Sequence, residues 1–146
     1  MIHSKDLNSI HLIGFRLNTE RYACLGKAIA KSKHFKRLLL NQVNIAEVGL
    51  AEIVNGFNEC QSIEYLDLQC NDLGDKHAGL LARLISGQFE MKDQLKWKLG
   101  LRNTKSFNIT NLGLKHFNLN RNILGTQAAL TLSNSLKSDE YLRAFP

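Results

Sequence analysis

The stretch SIEYLDLQCNDLGDKHAGLLARLIS, Ser62 to Ser86, decides how this chain is read. Apolar residues stand at Ile63, Leu66, Leu68 and Leu73, and Asn71 sits between the last two, so the spacing is LxxLxLxxNxL. Ala78, Leu81, Ala82 and Ile85 then follow three or four apart, the period of a helix face. A short strand, an asparagine turn and a helix make a unit that cannot bury its apolar side alone. It needs similar units stacked against it.

Working outward, the same spacing returns. A first copy is read at Ile10, Ile13 and Phe15, with Asn18 at the turn and Glu20 where a leucine is expected. A second runs through Phe35, Leu38, Leu40 and Ile45, with Val43 in the asparagine place. Another follows near the C-terminus at Leu114, Phe117, Leu119, Asn122 and Leu124. The tail SDEYLRAFP aligns with SIEYLDLQC and predicts the strand of a further copy. These copies start at residues 10, 35, 63, 114 and 139. The interval of 51 residues between the third and the next predicts a degenerate copy inside it, with LKWKLGLRN as its strand and TKSFNITN as an irregular crossover. In each strand alternate side chains point to opposite faces, so the leucines turn inward beneath the helices. The turn asparagines should line up as a ladder of amides that satisfies main-chain groups in the bend.

The strings LDLQCNDLGD and FNLNRNILGT resemble leucine-rich repeats of the ribonuclease-inhibitor-like class. The resemblance covers nearly all of residues 10–145 and implies an α/β fold: a short leucine-rich-repeat solenoid of about five to six repeats. Parallel strands would line its concave face and helices its convex face. Residues 1–146 are read as one such domain, with an irregular fourth repeat around 87–111.

Composition narrows the function classes. The 146 residues carry a net charge of +6, which favours an acidic partner surface. Three cysteines form no CxxC pair, which points to a reduced, intracellular compartment such as the cytoplasm, with cilium or organelle assembly also open. The start, MIHSKDLNSI, has no apolar signal core, and no apolar run is long enough for membrane insertion. The five histidines lack metal-ligand spacing, and no phosphate loop of the form GxxxxGK[ST] occurs. No catalytic set, metal or cofactor is expected, and the chain reads as a non-enzyme.

The outward strand positions are the candidate partner-binding residues: Arg16, Lys36, Arg37, Glu64, Tyr65, Asp67, Trp97, Arg102, Lys115, His116, Tyr141 and Arg143. Arginine, tyrosine and tryptophan on an open face are the usual anchors of an interface. Most of the charges are basic; Glu64 and Asp67 read as an acidic spot where a basic prong of a partner could dock. The basic run KSKHFKR, Lys31 to Arg37, suits phosphates or acidic protein, or simply places cations at a helix C-terminus. The leading expectation is a protein–protein interaction module, a structural or scaffolding subunit of a stable multi-subunit assembly. One alternative is a small-GTPase regulator resembling the Ran GTPase activators, for which Arg16, Arg102 or Arg121 would be the arginine to test. Another is an RNA-bound accessory subunit of a ribonucleoprotein, motivated by the charge.

Overall fold

The computed structural model describes residues 7–101 and 112–137. Strands β1 (Ser9–Ile13), β2 (Arg37–Asn41), β3 (Tyr65–Asp67) and β4 (His116–Asn118) alternate with helices α1 (Thr19–Lys31), α2 (Glu47–Glu59), α3 (Ala78–Leu101) and α4 (Thr126–Leu136). A 3-10 turn, Asp75–His77, leads into α3. The strands form one parallel sheet in the order β1-β2-β3-β4. Parallel strands taken in sequence order, each linked by a right-handed crossover, put all the helices on one side. The core lies between that helix layer and the inward row Leu38, Leu66 and Phe117, all three fully buried.

The fold is therefore α/β, but it holds four strands and four helices rather than a solenoid of five to six repeats. The decisive observation is the pairing of β3 with β4: Tyr65 stands opposite His116 and Asp67 opposite Asn118. No strand can lie between them, so the 51-residue interval holds no degenerate copy. The predicted strand LKWKLGLRN is helical through Leu101, as the end of the 24-residue α3. The remainder of that strand, the crossover TKSFNITN and the tail strand lie outside the described residues.

Alternating Leu95, Trp97, Leu99 and Leu101 imitate a strand, but the buried stripe of α3 is helical: Ala78, Leu81, Ile85, Gln88 and Lys92. Its last two members are polar and are paid for by hydrogen bonds. The Gln88 amide donates to the Phe57 carbonyl at the end of α2 and accepts the Leu114 N–H at 2.8 Å. The Lys92 ammonium donates to the Leu114 carbonyl at 2.8 Å. These two side chains bolt α2 and α3 to the start of β4.

The first copy is also framed differently. The register sets Ile10 beside Leu38 and Leu12 beside Leu40, three residues earlier than the sequence spacing suggests. Leu7, Ile10, Leu12 and Leu17 then match Phe35, Leu38, Leu40 and Ile45 at an interval of 28 residues. Ile13 and Phe15, expected inside, are 58% and 65% exposed. Asn18 is not the turn amide. It caps α1, accepting the Arg21 N–H at 3.0 Å.

The expected amide ladder runs between the later units. Asn71, 2% exposed, accepts the Val43 N–H at 3.0 Å and donates to the Leu40 and Leu68 carbonyls. Asn122 accepts the N–H groups of Asn71 and Leu73, both at 3.0 Å, and donates to the Leu68 and Leu119 carbonyls. The residue before each turn position is left-handed: Gly14, Gln42, Cys70 and Arg121 have φ of 73°, 55°, 56° and 56°. This backbone form recurs at equivalent places whatever the side chain, so the bend is set by the stacked unit rather than by local preference.

The helices adapt to close stacking. A Cβ on Gly26 or Gly56 would collide with the backbone of the facing helix, so α1 and α2 meet backbone to backbone. Asp75 caps the next unit's helix, accepting the N–H groups of Gly125 and Ala128 at 2.8 and 3.0 Å. His77 and Gly74 pair reciprocally, the His77 Nδ1 accepting the Gly74 N–H. Burial, with the charge of Lys76, holds the His77 imidazole below its ordinary range, which suits an acceptor.

Two outcomes are expected. Asn71→Ala orphans buried groups in two neighbouring turns and should cost about 3 kcal/mol in urea unfolding followed by circular dichroism. Tyr22→Phe should be neutral or stabilising by up to about 1 kcal/mol, because the buried Tyr22 hydroxyl has no partner among the described residues. A marked loss on Tyr22→Phe would mean that the hydroxyl is hydrogen-bonded in solution.

Candidate functional site

The open face of the sheet, opposite the helices, gathers most of the sequence-predicted site residues. Its geometry starts with an irregularity repeated at the entry to β2, β3 and β4. The N–H groups of Lys36 and Arg37 share the Asn8 carbonyl, those of Glu64 and Tyr65 share the Lys36 carbonyl, and those of Lys115 and His116 share the Glu64 carbonyl. Strict alternation is broken there, and both residues of each pair stay out of the core. Two parallel rows result, Lys36–Glu64–Lys115 and Arg37–Tyr65–His116.

The first row is an ion ladder. The Glu64 carboxylate takes Lys36 Nζ on one oxygen at 2.6 Å and Lys115 Nζ on the other at 3.0 Å. Partial burial pushes the Glu64 carboxyl upward, but the hydrogen bonds and charges of the two lysines outweigh it and hold the group below its ordinary range. The second row is stacked. The Arg37 guanidinium lies 5.7 Å from the centre of the Tyr65 ring, a cation–π arrangement. The Tyr65 and His116 rings are 6.0 Å apart and tilted.

A third row, His11–Leu39–Asp67–Asn118, lies further along the strands. Asp67 is buried: one oxygen accepts the Gln69 N–H at 3.0 Å and the other the Asn118 amide at 3.1 Å. The acidic spot expected at Glu64 and Asp67 is thus already engaged. Both carboxylates are taken by neighbours from adjacent strands, and neither is offered to a basic prong. The unspent charge on this face is positive: Arg37 and one net charge from the Lys36–Glu64–Lys115 ladder.

Of the twelve candidates, Lys36, Arg37, Glu64, Tyr65, Asp67, Lys115 and His116 come together here. Arg16 does not; it is exposed on the loop before α1. Trp97, 69% exposed, belongs to the C-terminal part of α3 and not to the sheet. Arg102, Tyr141 and Arg143 lie outside the described residues. Arg121 is exposed at a turn and has no side-chain partner among the described residues. Sequence reasoning missed Ser9, which heads the Arg37 row, because its frame for the first copy runs late. The matching series Leu7, Phe35, Ile63 would have found it.

No family model matches this chain, and no curated protein matches its sequence. Among the described residues, no group of three or more His, Cys, Asp or Glu could hold a metal ion. No helix among them is long and apolar enough to cross a membrane.

The ladder has a pH signature. With its folded-state pKa lowered, Glu64 binds fewer protons folded than unfolded just below the ordinary carboxylate range. Its contribution to stability is present above that range and is lost as pH falls through the folded value. Glu64→Gln should flatten the acid limb of the urea midpoint against pH. An unchanged acid limb would show that the two lysines do not hold Glu64 in solution.

Proposed function

We propose that the protein is a non-enzymatic protein–protein interaction module assembled from leucine-rich units, and that it serves as a structural or scaffolding subunit of a larger complex. The observation that carries this reading is the Arg37–Tyr65–His116 row. Its side chains are braced against one another across three strands, so little conformational entropy remains to be lost on binding. Arginine and tyrosine are also the residue types that concentrate binding energy at interfaces. The open face has side chains shaped for contact, and its Ser9–His11 hydroxyl–imidazole contact, at 2.7 Å, is exposed to solvent.

The charge of +6 supports a second reading, an RNA-bound accessory subunit, in which the Lys31–Arg37 run and the same row would meet phosphates. The two differ in salt dependence and in what the face retains.

Photo-crosslinking separates them. With a benzophenone side chain at position 65, discrete protein adducts are expected from the native extract; the same probe at Arg83, on the helix side, should give none of them. Tyr65→Ala with Arg37→Ala should lower binding of the captured partner at least about tenfold without changing helix content. Adducts confined to position 83, or to RNA, would reject the open face as a protein-docking surface.

A further inference from the structure

We propose that the open face takes an extended acidic segment of another protein, with two carboxylates spaced three residues apart. The inference rests on the interaction reading above and adds the chemistry and the spacing of the partner. Three observations carry it.

First, the face holds two poles of side chains that can donate hydrogen bonds to a carboxylate. Arg37 opens β2 with Lys36 just before it, His116 opens β4 with Lys115 just before it, and β3 lies between them. Second, the carboxylates that would oppose an acidic ligand are consumed. Glu64 is clamped by both lysines and leaves its ladder with a net positive charge, and Asp67 is buried on Gln69 and Asn118. The complementarity therefore points to a negative partner. Third, between the poles the row offers a single half-buried ring, Tyr65, on which a small intervening residue can rest.

The spacing follows from strand geometry. Two strand separations place the poles about 10 Å apart. A polyproline-II segment returns to the same side every three residues, after about 9.3 Å. A β-extended segment points residues three apart to opposite sides, and residues four apart overshoot at about 13 Å. An α-helix would need carboxylates seven residues apart and an apolar stripe to set against this row, and the row between the poles supplies only Tyr65. The extended segment with a carboxylate–x–x–carboxylate pattern is the one that fits.

The test uses the full chain and fluorescein-labelled twelve-residue peptides in anisotropy titrations at low salt. A peptide with glutamates at positions i and i+3 is expected to bind at least about tenfold more tightly than its glutamine counterpart, and than peptides with the glutamates adjacent or seven apart. Arg37→Gln and His116→Ala, each verified as folded by circular dichroism, should each remove most of that preference. Equal binding of the glutamine peptide, indifference to spacing, or insensitivity to both variants would overturn the proposal. Tighter binding of oligouridine at matched salt would overturn it as well. If neutral or basic peptides bind and Tyr65→Ala abolishes their binding, the interaction reading stands and the acidic segment is wrong. If no peptide binds and position 65 captures no protein, both fall.

Discussion

The structure depends on satisfying main-chain groups in a bend that is buried and repeated. At Asn71 a single side-chain amide reaches back to Val43 and Leu40 in one unit and folds over the Leu68 carbonyl in its own. Asn122 does the same one unit on. Without these amides the turns would bury donors and acceptors at a cost of about 1–3 kcal/mol each. With them, each unit sets the backbone of its neighbour, left-handed residues included. The ladder ends at Val43, which donates its N–H to Asn71 but has no side-chain amide to pass on.

The ladder also fixes the register of the strands, and the register makes the open face. Because β2, β3 and β4 align residue for residue, Arg37, Tyr65 and His116 fall into one row and the two lysines close on Glu64 from opposite sides. A one-residue slip would scatter both rows. The arrangement of the open face is thus a consequence of core and turn chemistry several ångströms beneath it. The same register spends the two acidic residues internally and turns a face that reads as mixed in charge into a cationic one.

The polar bolt at Gln88 and Lys92 explains the longest departure from regularity. Where a fourth strand and helix would be expected, α3 simply continues, about 36 Å in all for its 24 residues. Its buried stripe is carried on by two polar side chains tied to Phe57 and Leu114. That tie lets β4 enter the sheet directly beside β3 although 51 residues separate them in sequence.

Much of this was legible in the residues themselves. Leucine spacing and the asparagine between leucines determine strand, turn and helix at Ser62–Ser86 and again near Asn122, because period and amide chemistry act over a few residues. The helix face of α2, the exposed basic residues and the inward leucines are determined in the same way. The neighbour of β3, the burial of Lys92 and the fate of Glu64 and Asp67 are not. Each depends on a partner 22 to 51 residues away, and no local pattern shows whether a charged side chain will find such a partner and leave water. Leu95 to Leu101 alternate like a strand and still form a helix, because the turns before them are anchored by packing and hydrogen bonds that only the assembled sheet provides.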